Sequence, residues 1–224
     1  MISKKATAWS YKWLILLILL FGPACLLMFI STRGCEHKFK VLDDMGEIPN
    51  YSFKDINGKT YTNQSFHNQI TLFTCIQQTC PDSCSISLWH FDQLIYQHVR
   101  KNQKKLKHLK IVSFVTDRKG NLVQNLQNVE TILKDQVEKY DPKIWMLANG
   151  NYKKLFDITR NGKNLLKEGG NSVQQLLLLV DKKNHLRMVL KGDSEGMIRR
   201  MKEHIALLDK QYDKEKFEKS HPKN

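Results

Sequence analysis

Gln69-Ile-Thr-Leu-Phe-Thr-Cys75-Ile-Gln-Gln-Thr79-Cys80-Pro81-Asp82-Ser83-Cys84 is the stretch on which the reading of the whole chain turns. Residues 69–76 form an apolar run of the length expected for a buried central strand. Cys75 lies inside that run and reads as a packed core thiol. Pro81 suits the first position of a helix, where its missing N–H costs nothing. Cys80 and Cys84 are then i and i+4, on one helix face and a turn apart. Such a pair can close a disulfide, or its thiolates can converge on one ion. At the helix N-terminus the partial positive charge favours the Cys80 thiolate, and Asp82 works against it. A static structural disulfide, or two buried thiols, is the plain alternative.

Before this stretch, Pro49-Asn50 opens the folded part, and Tyr51–Asp55 alternates as a short strand. Asn57-Gly58 is a strong hairpin-turn signal, with Thr60–Thr62 as the returning strand. After it, Leu88, Phe91, Ile95 and Val99 recur at helical spacing, and the basic residues of 100–110 suit a helix C-terminus. Leu109–Thr116 predicts a strand, residues 117–121 a loop, and Val129, Ile132, Leu133 and Val137 a second amphipathic helix. Ile144–Ala148 reads as a third core strand and Tyr152–Phe156 as a short helix. Beyond a loop around Gly162–Gly170, Leu176–Val180 and His185–Leu190 flank a turn and form a hairpin. Ile198, Met201, Ile205 and Leu208 mark the last helix.

The N-terminal end is of another kind. From Trp13 to Ile30 no residue is charged, a run long enough to cross a bilayer even with Gly22 and Pro23 inside it. Lys4, Lys5 and Lys12 precede it and assign residues 1–12 to the cytoplasm. The run exceeds the usual apolar core of a cleaved signal peptide, and no small-x-small cleavage site follows. The expected organisation is a transmembrane anchor at 13–30, a tether at 31–48, a folded domain at 49–209 and a charged, fraying tail at 210–224. The domain would lie on the periplasmic side of a cytoplasmic membrane, with the mitochondrial inner membrane as the second choice. Five cysteines is an odd count. Cys25 falls within the span, and Cys35 just after it reads as an idle thiol.

The chain of 224 residues carries a formal net charge of +14. Its lysines are scattered, which favours a solvated basic surface over a dedicated site for anionic lipid or an acidic partner. Nothing in it matches a nucleic-acid-binding module. The element order is hairpin, strand, cysteine-bearing helix, strand, helix, strand, hairpin, helix. That order predicts an α/β, thioredoxin-like domain: a central mixed sheet flanked by helices, with an N-terminal hairpin and one preceding transmembrane helix.

On these residues the chain resembles the Sco/SenC family of membrane-anchored copper chaperones over roughly residues 47–208. The likeness is carried by Cys80-Pro81-Asp82-Ser83-Cys84, close to the family's Cys-Pro-Asp-x-Cys. It is supported by Ile111–Asp117, Trp145-Met-Leu and Leu177-Leu-Leu-Val-Asp181. The resemblance implies a factor that delivers copper to cytochrome c oxidase or keeps its cysteines reduced. It also implies Cys80 and Cys84 as Cu(I) ligands, and an oxidase subunit or another thiol or copper protein as partner. No nucleotide or flavin is implied. Two thiolates select Cu(I), and in the family an imidazole completes the site.

The family's histidine position, counted back from Asp181, is Val173 here, and no histidine lies between His108 and His185. His185 falls at the far end of its strand, His90 nearly two turns down the helix, and His67 before the central strand. The third ligand is therefore unassigned. Asn171, Ser172 and Gln174 are weak copper ligands, and Cys75 reads as buried. The prolines, at 23, 49, 81, 142 and 222, leave none at the position where thioredoxins place a cis-proline. Three roles follow: a copper chaperone acting through Cys80 and Cys84, a thiol–disulfide oxidoreductase using them as attacking and resolving thiols, or a non-catalytic thioredoxin-like binding module.

Overall fold

An eight-residue strand with large apolar side chains on both of its faces must be covered from above and below. The computed structural model describes residues 5–34, 41–78, 88–117, 119–157, 159–160, 163–164 and 175–221. It divides into two units, Met1–Lys40 and Val41–Asn224. In the first, helix α1 (Lys5–Gly34) contains Tyr11–Ser31, whose mean hydropathy of 2.7 and length suffice to cross a membrane.

In the second unit the elements follow in chain order. Strands β1 (Ser52–Asp55) and β2 (Thr60–Thr62) form the hairpin, and β3 (Ile70–Gln77) is the central strand. Helix α2 (88–101) and α3 (Gln103–Leu106) lead to β4 (Leu109–Thr116). Helix α4 (Gln127–Gln136), β5 (Trp145–Gly150) and α5 (Tyr152–Phe156) come next. A small hairpin of β6 (Thr159–Arg160) and β7 (Lys163–Asn164) precedes β8 (Leu176–Val180) and β9 (Leu186–Lys191). Helix α6 (Glu195–Ser220) closes the fold.

The main sheet runs β2-β1-β5-β4-β3-β8-β9. Strand β3 is parallel to β4 and antiparallel to β8, and β4 is parallel to β5, so the sheet is mixed. Alternation along each strand sorts side chains between two cores. Leu72, Ile111, Trp145, Leu177 and Leu179 pack under α2, α4 and α6. Phe73, Phe114, Leu176, Leu178 and Val180 join Phe53, Phe66, Tyr152 and Phe156 on the other face. Trp145, fully buried, donates its indole N–H to Ser113 Oγ at 2.7 Å, which satisfies both polar groups inside the core.

The predicted strands, short helix and closing hairpin all form, and four details differ. Residues 41–48, expected within the tether, are folded. Leu42 and Ile48 are buried, and Met45 N–H and Gly46 C=O pair with Leu186, covering the edge strand β9. The tail expected to fray from 210 continues α6 to Ser220. Leu208 and Tyr212 pack toward the core, and Lys214–Glu218 forms an i,i+4 pair on that extension. Val137, counted on the α4 stripe, is its extended C-cap residue yet remains buried. Helix α2 carries a π turn at Asp92–Tyr96, where the buried Asp92 carboxylate accepts from Gln93 and Gln97 side chains at 2.8 Å. Desolvation raises its pKa even so.

The folded N-terminal segment is held by one buried cation. Arg187 Nη1 lies 3.0 Å from Asp181 Oδ2, with side chains 8% and 1% exposed. Its Nε and Nη2 donate to Asp43 and Leu42 carbonyls at 3.1 and 2.6 Å. Asp181 Oδ1 accepts from the backbone of Lys183 and His185. Arg187→Ala strands that carboxylate in the interior and should cost about 3–5 kcal/mol, read as a lowered urea midpoint. Replacing both partners by apolar residues should cost less; equal losses would contradict the pairing.

Candidate functional site

Register fixes the end of the sheet at which the described chain stops before the cysteine stretch. Ile70 pairs with Leu109 and Gln77 with Thr116, so β3 and β4 finish level. The ladder extends one residue further, because Gln78 N–H donates to Thr116 C=O at 2.8 Å. The chain is thus anchored immediately before Thr79. Antiparallel pairing of Phe73 with Leu178 brings the start of β8 to the same end, and Leu176 pairs with Lys191 at the finish of β9. Residue 78, residue 117, residue 175 and the start of α6 therefore share one sheet edge. Cys80 and Cys84, and Val173 with Asn171, Ser172 and Gln174, lie outside the described residues. The described strands that lead into and out of those segments both end on this edge.

What surrounds the edge is defined. Asp117 closes the loop after β4: its Oδ1 accepts from Lys119 and Asn121 N–H at 2.7 and 2.8 Å. The Asn121 side chain donates to Oδ2 at 2.9 Å and, with the backbone bonds, lowers the carboxyl pKa. Tyr152 donates its hydroxyl to Gly120 C=O beside it, and desolvation first, then the neighbouring Cys75 and Asp117, raises its pKa. Cys75, half-buried on the aromatic face of β3, has a thiol that burial pushes far above the ordinary range. The strand reading of Cys75 as a packed thiol agrees with this. A thiol held in its neutral form is a weaker nucleophile and a poorer thiolate donor to a metal than one at a helix N-terminus.

The histidines fall out by topology. His67 follows the 3-10 turn at Asn63–Phe66, at the opposite end of β3. His185 sits in the β8–β9 turn at that same far end, 2.8 Å from Asp44 Oδ2. That contact depresses the Asp44 pKa, with the His185 side-chain hydrogen bond the largest cause. His90 does lie toward the cysteine edge. Its Nε2 is 3.7 Å from Glu195 Oε2 in the first turn of α6, and its buried Nδ1 has no hydrogen-bond partner among the described residues. This link between α2 and α6 was not foreseen from sequence, because 105 residues separate its ends and no local period marks it. Trp89, beside His90, is 60% exposed on the same turn. Among the described residues no three His, Cys, Asp or Glu side chains group to hold a metal ion.

Comparison with families and curated sequences found no family and no protein that matches. Solved structures do match. BsSco, a member of the Sco family of cytochrome c oxidase assembly proteins in which a disulfide switch was identified, aligns with a TM-score of 0.54. It is 15% identical, over 76% of this chain and 98% of that one. A SCO1/SenC family lipoprotein from Bacillus anthracis aligns with a TM-score of 0.50 at 16% identity, over 72% and 96%. A candidate protein disulfide isomerase from Bacteroides thetaiotaomicron reaches 0.51 at 12% identity, over 76% and 92%. At such identities the likeness is one of fold. The folded unit of this chain has a thioredoxin-like, Sco/SenC-like fold.

Proposed function

We propose that this protein is a membrane-anchored Sco-type factor for cytochrome c oxidase assembly, with Cys80 and Cys84 as its working residues. The observation that supports it most is the register of β3. It ends level with β4, its ladder runs to Gln78, and the start of β8 lies at the same edge. In this reading the cysteine pair, which begins two residues after Gln78, works at the end of the sheet where these three strands meet. In this reading α1 crosses the cytoplasmic membrane, residues 1–12 remain inside, and the domain works on the periplasmic side.

Copper enters as cargo. Two thiolates at i and i+4 bind Cu(I) linearly, and an incoming acceptor thiolate replaces first one and then the other without change of oxidation state. The Val173 side chain brings no donor atom, so the family's imidazole has no counterpart at that position and the third ligand is unassigned. Thiol–disulfide exchange is the second reading, favoured by the placement of the described histidines. His67 and His185 lie at the opposite end, and His90 faces Glu195. Cys80 thiolate would attack a client disulfide, Cys84 would resolve the mixed disulfide, and the client would leave as a dithiol. A separate dithiol reductant then returns the Cys80–Cys84 disulfide to the dithiol and is itself oxidised to a disulfide.

Titration of the reduced full chain in detergent, against a competing Cu(I) chelator, should give one Cu(I) per chain. Cys80→Ser or Cys84→Ser should weaken uptake by about a hundredfold or more, and Cys75→Ser should leave it unchanged. Uptake indifferent to Cys80→Ser would remove the chaperone reading. If copper is not held but the pair forms a disulfide with a potential above about −300 mV, exchange is the activity.

Alkylation separates the thiols independently. With iodoacetamide near neutral pH, Cys75 should react about tenfold or more slowly in the folded chain than after unfolding in urea, with Cys80 modified first. Fast native labelling of Cys75 would contradict its burial.

A further inference from the structure

The end of the domain opposite the cysteine edge has a charge pattern that thiol and copper chemistry do not use. An open groove of about 1120 Å³ runs between α3, the β8–β9 turn and the C-terminal half of α6. Eight lysines line it against three carboxylates, five more cations than anions. They come from three separate elements: Lys105 and Lys107, Lys182 and Lys183, and Lys216 and Lys219. One carboxylate, Asp209, is engaged with His108 at 3.0 Å. Lysines scattered along the sequence are therefore gathered by the fold onto one end.

We propose that this end is a docking surface for anionic lipid headgroups. Charge alone would serve an acidic protein as well, and three observations favour lipid. The rim carries an exposed aromatic: Phe217 is 62% exposed and shares an α6 face with Asp213 and Lys210, at i−4 and i−7. A cationic surface with an apolar ring at its margin suits a headgroup layer over hydrocarbon. The chain also joins the domain at this end. Arg187, which bonds the Leu42 and Asp43 carbonyls, reaches Gln211 on α6 next to Tyr212, a groove residue. Val41, at the junction, is exposed. Finally, only residues 35–40 separate this folded unit from a helix apolar and long enough to span a bilayer. Each lysine near an anionic membrane surface contributes about a fivefold gain in local association at low salt. Docking by this end leaves the β3–β4 terminal edge turned away from lipid, toward soluble or membrane-protruding partners.

The test compares the full chain in lipid nanodiscs of phosphatidylcholine alone with discs of equal parts phosphatidylcholine and phosphatidylglycerol, by hydrogen–deuterium exchange. Amides in 102–108, 182–185 and 210–220 should exchange about threefold or more slowly in the anionic discs. About 0.5 M salt should abolish the difference. The triple variant Lys105→Glu, Lys183→Glu, Lys216→Glu should lose it, while β3 and β4 amides keep their protection and report an intact fold. Equal exchange in the two kinds of disc would overturn the proposal, as would slowing retained by the triple variant. Slowing produced only by added polyglutamate, in neutral discs, would assign the surface to an acidic protein and also overturn it.

Discussion

Strand β3 is paired along its whole length on one side by β4 and near its start on the other by β8. Every organising feature of the domain follows from that double pairing. A strand bonded on both flanks cannot slip by one residue without turning Leu72 and Phe73 to the wrong cores. Those cores are chemically distinct. One packs leucines, isoleucines and valines around Trp145, Phe91 and Tyr96, the other centres on Tyr51, Phe53, Phe66, Phe73 and Phe114 with ring centroids 5.2 to 6.4 Å apart. A one-residue shift would exchange Leu72 and Phe73 between spaces shaped for different side chains. Register is thus over-determined, and with it the point at which the chain leaves the sheet after Gln78.

Much of this was legible because the signals are local. The apolar run at 69–76, Asn57-Gly58 and the turn at 181–184 mark strands and hairpins through side-chain period and turn chemistry, which neighbouring residues supply. The order of those elements was enough for a thioredoxin-like reading. What the sequence concealed was non-local. Residues 41–48 look like a tether because their backbone bonds are made to Leu186 and Asn184 and the Leu42 and Asp43 carbonyls are held by Arg187, far along the chain. Likewise the tail beyond 210 is polar enough to read as frayed, and its helix is supported by packing of Tyr212 and by paired charges on adjacent turns. The π turn in α2 follows from a buried aspartate satisfied by glutamines, a tertiary circumstance with no period of its own.

The same distinction applies to the site. Cys80 and Cys84 were singled out by spacing and Val173 by a count back to Asp181, and all three lie outside the described residues. The exclusion of His67 and His185 needed only the direction of their strands. His90 shows the limit of that method. Its place along the helix said nothing of α6, whose first turn meets α2 there, with Glu195 facing His90 across 3.7 Å. Helix packing, rather than helix phase, decided its surroundings.

Opposite ends of one sheet therefore differ in what they present. At one end β3 and β4 finish and β8 begins, and burial pushes the nearby Cys75 thiol well above the ordinary range. At the other end, lysines from α3, the β8–β9 turn and α6 converge where residues 41–43 join the fold. Parallel pairing of β3 with β4 is what separates them, because it puts both strand starts at one pole and both finishes at the other. Had these strands been antiparallel, the chain leaving the sheet after Gln78 would have done so at the pole where the next strand starts, among the lysines that flank it.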